Sequence, residues 1–177
     1  PFRDASFETA KIDVQGPLSR DVLKPLVPGI ERLSYYGFAV CDVAGIRCIV
    51  SRTGYTGELG YEIYCPWGSA VEIWRRILKD PGVKPTGLGV RDVLRIEMCY
   101  PLYGHELEEN ISPLEAGLDK FIDWNKDFIG KEAVLRQKEA GNWRRVGYFV
   151  SGSRKSPRAG HALYNERGKA IGTVTSG

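Results

Sequence analysis

Three glycines at intervals of three, Gly54, Gly57 and Gly60, punctuate the run Ser51-Arg52-Thr53-Gly54-Tyr55-Thr56-Gly57-Glu58-Leu59-Gly60. A backbone without Cβ atoms can approach a ligand closely. No Gly-Lys-Ser/Thr follows, so the run is not a P-loop, and a β-rich stretch stands where a dinucleotide fingerprint needs a helix. The plainer reading is a connection between two strands. The stretch behind it, Tyr61 to Cys65, sharpens the chemistry. Alternating as a strand does, it places Gly60, Glu62 and Tyr64 on one face and Tyr61, Ile63 and Cys65 on the other. Glu62 is then a carboxylate among aromatic and apolar neighbours, and it must be solvated, paired, or open to a ligand that brings donors. Farther on, Val90, Val93, Leu94 and Met98 form one apolar arc of a helix from Leu88 to Met98, with Arg91 at its margin, where it need not face bulk water. Asp92 and Arg95 have the spacing of a helix-surface pair worth ~0.2–0.5 kcal/mol. Glu97 falls inside the arc, so it is expected either to be buried with a partner or to line a cleft.

Other chemistries find little support. Cys41, Cys48, Cys65 and Cys99 include no CxxC pair and no histidine at zinc-finger spacing, which argues against a structural zinc site. Their apolar flanks suit small buried hydrophobes in a reducing compartment. The histidines number two, His105 and His161, and neither HExxH nor GxSxG occurs, so no metal ligand set or Ser-His-Asp triad is assigned. A net charge of +3 is too small to argue for nucleic acid. No apolar run is long enough to span a membrane, and Pro1 to Asp4 lacks a leader pattern. The basic run Arg154-Lys155-Ser156-Pro157-Arg158 reads as a solvated loop, with phosphate or polyglutamate contact as the alternative.

The elements that must position Glu62 and Arg91 follow from periodicity. Lys11 to Gln15 alternates as a strand, and Gly16-Pro17 opens a helix carrying Leu18, Val22, Leu23 and Leu26. Phe38 to Val43 and Ile46 to Val50 are β-rich runs around Ala44-Gly45, a tight hairpin. Ser69 and Glu72 have capping-box spacing ahead of Val71, Ile73, Trp74, Ile77 and Leu78, and Asp80-Pro81-Gly82 stops that helix. Ser112-Pro113-Leu114-Glu115 predicts a second capping box, making Glu115 a cap and not a catalyst. Lys131 to Glu139 predicts a short charged helix. Val146, Tyr148 and Val150, then Leu163-Tyr164, a turn at Glu166-Arg167-Gly168 and Ile171 to Thr175, predict strands of a second unit. This order fits an α+β architecture, antiparallel sheets with helices packed on one face.

Ser51 to Ile63 resembles the signature of the glycine cleavage T-protein family, the tetrahydrofolate-dependent aminomethyltransferases. Five further stretches agree in the same order: Val14 to Pro17, Gly89 to Glu97, Pro101 to Leu107, Asp127 to Ala133 and Gly172 to Gly177. The resemblance implies a ferredoxin-like, folate-binding aminomethyltransferase fold followed by the start of a small β-barrel. It implies partial α+β folate-binding domain over 1–110, a helical connection over 111–142 and the first part of the barrel over 143–177. The implied reaction takes an aminomethyl group from the dihydrolipoyl arm of the H-protein, passes its carbon to tetrahydrofolate and releases ammonia. The implied partners are therefore lipoylated H-protein and folate, with no nucleic acid and no membrane, in the cytoplasm or, in a eukaryote, the mitochondrial matrix.

Within that resemblance Glu62 and Arg91 match the family's folate-binding glutamate and arginine. A pterin offers a ring N–H and an exocyclic amine side by side, which one carboxylate accepts in parallel, at ~1.5–3 kcal/mol for each bond to a charged group. Arg91 brings a rigid fork of donors that lysine lacks. Tyr55 and Tyr103 are candidates for stacking on the pterin or for core packing. The family's catalytic aspartate belongs to a segment before the Val-Gln-Gly-Pro motif; Asp4 and Asp13 do not match it, so no catalytic residue is assigned. A late family arginine is likewise expected beyond Gly177, and a piece of this extent is expected to be inactive by itself. Lys120-Phe121-Ile122 departs from the usual T-protein pattern and is similar to the folate domain fused to sarcosine and dimethylglycine dehydrogenases. A non-catalytic folate-binding module is the third reading.

Overall fold

A computed structural model describes residues 2–141, 143–152 and 155–177. The chain separates into two compact units, Pro1–Met98 and Cys99–Gly177. In the first, strands β1 (Thr9–Gln15), β2 (Phe38–Val43), β3 (Ile46–Ser51) and β4 (Gly60–Pro66) form one antiparallel sheet in the order β1-β4-β3-β2. Helices α1 (Ser19–Leu23) and α2 (Ala70–Ile77) cover one face, and α3 (Leu88–Glu97) follows. The predicted α+β class is thus present.

Alternation decides which face is covered. Ile12 and Val14, Val43, Cys48 and Val50, and Tyr61, Ile63 and Cys65 point inward against Leu23, Val27, Ile30, Ile73 and Ile77. Burying such a side chain contributes ~1.5–3 kcal/mol. The other face carries Phe38, Val40, Ile49, Glu62, Lys11 and Asp13, all at least partly accessible. The β2–β3 hairpin closes through Ala44 and Gly45 at φ 53° and 85°, the two positive dihedrals a two-residue hairpin turn of type I′ needs. Position Ser19 is buried at the start of α1, where its hydroxyl donates to the Leu59 carbonyl at 3.0 Å and ties the helix to the glycine loop.

Several expectations are corrected. Ser69 stands at the start of α2 but its side chain makes no cap bond. The preceding 3-10 turn Trp67–Ser69 leaves it at φ −98°, ψ −8°, already helical, and a cap needs an extended residue. Glu72 instead pairs with Arg76 at 3.0 Å. Most of the α3 arc does not enter a core: Val90, Val93 and Met98 are 46%, 55% and 45% exposed and Leu94 is only partly buried, whereas Arg95 is 2% exposed. Asp92 accepts from the Arg95 guanidinium at 2.7 Å, and this pairing offsets the cost of burying the charge. Glu97 is exposed and not buried with a partner.

The second unit contains α4 (Lys131–Ala140) and the hairpin β5 (Ala162–Tyr164) and β6 (Ala170–Thr173). Ser112 and Glu115 make both bonds of a capping box, Ser112 N–H to Glu115 Oε2 at 3.0 Å and Glu115 N–H to Ser112 Oγ at 3.3 Å. Turns and a 3-10 segment at Asp119–Phe121 follow, however, and no α-helix. Val146, Tyr148 and Val150 lie in irregular chain and not in the predicted strand, since no strand pairs with them among the described residues. Two of the motif stretches meet here: Glu106, 2% exposed, accepts from Thr175 Oγ1 at 2.6 Å and from the Leu102 N–H at 3.1 Å. Cys99 is exposed, contrary to the buried reading, while Cys48 and Cys65 are buried. In the basic run Lys155 and Arg158 are exposed, and Arg154 lies outside the described residues.

Candidate functional site

Gln15 and the glycine loop meet first. Gln15 pairs with Gly60 across β1 and β4, and its side chain folds over that partner. A Cβ on Gly60 would lie 1.8 Å from Gln15 Oε1, and one on Gly54 2.1 Å from it. The amide donates to the Thr53 carbonyl at 3.2 Å and accepts from Thr56 Oγ1 at 3.3 Å. Gly57, at φ +75°, would place a Cβ 2.4 Å from Met98 Cγ. All three glycines therefore admit protein side chains, with Gly54 and Gly60 clearing space for one amide.

A cleft of about 650 Å³ runs along the free edge of β1, bounded by the start of α1, by α2 and by α3. Its lining is apolar at Leu18, Val22, Trp74, Val83 and Leu94 and polar at Lys11, Asp13, Gln15, Thr56 and Arg91. Such a mixture of apolar wall and few polar groups is the usual make-up of a small-molecule site. Arg91 stacks on the Tyr55 ring at 4.8 Å to its centroid, and both line the cleft. Tyr103 is 69% exposed in the second unit.

Glu62 does not itself line this cleft. On the uncovered face of β4 its side chain is 15% accessible, and its Oε2 accepts from Thr53 Oγ1 and from Tyr64 Oη, the latter at 3.5 Å. Its Oε1 is bonded to Lys11 Nζ. Lys11 also reaches Asp13 Oδ1 at 3.3 Å, and Asp13 stands directly opposite Glu62 in the β1–β4 register. Of the three open choices for Glu62, the structure selects pairing. The cleft meets this cluster through Lys11 and Asp13.

Burial works to raise the Glu62 carboxyl, but the bonds from Lys11 and Thr53 outweigh it and hold the group below its ordinary value. Asp13 moves the other way: burial, joined by the adjacent Glu62 charge, pushes its carboxyl up despite Lys11. Burial opposes the Lys11 charge, yet the two carboxylates prevail and its ammonium is raised. Lys11, Asp13 and Gln15 went unassigned in the sequence. Alternation alone puts them on one face, but the placement of Lys11 and Asp13 beside Glu62 and of Gln15 over Gly60 depends on the β1–β4 pairing, which brings Lys11 and Glu62 together from 51 positions apart.

Comparison with known proteins places this geometry in a wider set. The chain is 47% identical to an aminomethyltransferase of Pseudothermotoga lettingae over 99% of this chain and 49% of that protein. It is 44% identical to one of Moorella thermoacetica over 97% of this chain and 48% of that protein. The crystal structure of glycine cleavage system aminomethyltransferase T from Bartonella henselae superposes with a TM-score of 0.82 at 29% identity, covering 95% of this chain and 47% of that one. The chain thus spans about half the length of the curated relatives it matches. The model of the GCVT N-terminal domain matches residues 1–126, a span holding the glycine loop, the Glu62 strand and the Arg91 helix, and to that family this chain belongs.

Proposed function

We propose that the whole protein is a tetrahydrofolate-dependent aminomethyltransferase of the glycine cleavage type. It takes an aminomethyl group from the dihydrolipoyl arm of an H-protein, passes the carbon to tetrahydrofolate and releases ammonia. The observation that carries this reading is the near-complete alignment of the chain with relatives named aminomethyltransferase. Folate and lipoylated H-protein are the proposed partners and the cytoplasm the proposed location. No helix among the described residues is long and apolar enough to cross a membrane.

In this reading the chain contributes binding and orientation. Glu62 accepts the ring N–H and the exocyclic amine of the pterin, and its depressed carboxyl keeps it an acceptor at neutral pH. Arg91, steadied on Tyr55, directs its fork of donors to an acceptor edge or a carboxylate of the same ligand. The apolar wall at Trp74, Val83 and Leu94 excludes water from one side of the cleft.

The test is a titration with 5-formyl-tetrahydrofolate. Saturating ligand is expected to raise the unfolding temperature, as any ligand of the native state alone must. Glu62→Ala is expected to raise Kd at least about tenfold, corresponding to ~1.4 kcal/mol. An unchanged titration in Glu62→Ala removes the site assignment.

A further inference from the structure

A ligand entering the cleft meets Lys11 and Asp13 on its wall, and Glu62, which does not line the cleft, is bonded to that Lys11. We propose that Lys11 and Asp13 control access to Glu62: Lys11 is the resident cation of the Glu62 carboxylate, and Asp13 is the second carboxylate to which it passes when a donor-bearing ligand takes Glu62. The inference rests on the reading of Glu62 as a ligand acceptor.

The geometry supplies each part of the handover. Lys11 and Asp13 are two residues apart on one face of β1, and Asp13 is the direct cross-strand partner of Glu62. The Lys11 ammonium already touches both carboxylates, bonding Glu62 Oε1 and standing 3.3 Å from Asp13 Oδ1. Passing from one to the other takes a side-chain rotation and no backbone movement. The second Glu62 oxygen has a matching exit. Thr53 Oγ1, which donates to Oε2, lies 2.7 Å from Ser51 Oγ and can turn its proton there. Tyr64 Oη, at 3.5 Å, is the remaining polar group on Glu62 from its own strand.

The charge balance favours the same sequence of events. With Lys11 on Glu62, Asp13 stands opposite a neighbouring carboxylate, and its charged form is disfavoured. A neutral donor edge on Glu62 displaces the ammonium, which gains Asp13 as its counter-ion and leaves no unpaired cation on the cleft wall. Without Asp13, Lys11 would have no second carboxylate within its cluster and would keep competing for Glu62. Lysine and aspartate at these two positions thus make the acceptor selective for ligands able to outcompete an ammonium, those that present paired donors.

The first arm of the test needs no ligand. Carbon-13 NMR titration follows the Asp13 carboxyl in four proteins: wild type, Lys11→Met, Glu62→Gln and the double variant. Removing Lys11 is expected to raise the Asp13 midpoint by more in the Glu62→Gln background than in wild type, by at least about 0.5 pH unit, because only there is Lys11 fully on Asp13. Lys11→Gln repeats the comparison with a polar side chain. Equal or smaller effects in the two backgrounds overturn the handover. The second arm measures Kd for 5-formyl-tetrahydrofolate. Lys11→Met is expected to tighten binding about threefold or more and Asp13→Asn to weaken it similarly, with both effects absent in Glu62→Gln. Weaker binding in Lys11→Met overturns the access role. A positive first arm with Kd insensitive to Glu62→Gln keeps the Lys11 shift between the two carboxylates but overturns the ligand reading of Glu62, and the access role with it.

Discussion

If the glycine loop is shaped around Gln15, Gly60→Ala must act through that side chain. The new methyl would stand 1.8 Å from Gln15 Oε1 and 2.6 Å from its Nε2, so the amide has to leave. It would forfeit its bonds to the Thr53 carbonyl and Thr56 Oγ1, a loss of ~1–3 kcal/mol at ~0.5–1.5 each. Gly60 sits in a strand without a positive dihedral, so alanine restricts the unfolded chain and returns ~0.4–1 kcal/mol. The net destabilisation is roughly 0.5–2 kcal/mol. Truncating Gln15 to alanine first removes the obstacle, and Gly60→Ala should then be neutral or stabilising. Urea unfolding of wild type, both single variants and the double variant gives the coupling directly, expected at ~1–3 kcal/mol. A Gly60→Ala cost that is the same with and without the Gln15 amide would refute the packing account and return the loop glycines to a ligand role.

Other outcomes follow from burial and charge. The Ser112 N–H holds the Glu115 carboxyl below its ordinary value, assisted against burial by Arg144 and Gln137. A carboxyl lowered in the folded state contributes stability above its unfolded value near pH 4.3 and loses it as pH falls toward the folded one. Stability measured from pH 6 to pH 3 should therefore decline less steeply in Glu115→Gln than in wild type, and identical slopes would contradict the cap. Burial pushes the Cys48 thiol up to about 11, and Cys65 is raised by the same cause, while Cys99 is exposed. Brief iodoacetamide treatment of the native protein followed by peptide mass spectrometry should find Cys99 alkylated, with Cys48 and Cys65 modified after unfolding. Early modification of Cys48 would show that the sheet opens readily.

The Ala44-Gly45 hairpin was legible because the two positive dihedrals are a local requirement. So were the faces of β4, since side-chain alternation needs nothing beyond the strand itself. The Ser112–Glu115 box was legible in its bonds, which join near neighbours, but the helix expected after it was not formed. Ser69 shows the same spacing without the bonds, because the 3-10 turn before it set its backbone first.

Local chemistry, then, was written in the sequence: which residues turn, which alternate, and that Glu62 is a carboxylate needing a partner. Only the tertiary structure chose that partner, bringing Lys11 and Asp13 across from β1, and only it gave Gly54 and Gly60 to Gln15. It also turned α3 so that Arg95 is buried and Val93 exposed. Periodicity reports which side chains share a face and is silent on what that face meets. That choice depends on contacts between residues far apart along the chain, which form only when the whole sheet and its helices pack together.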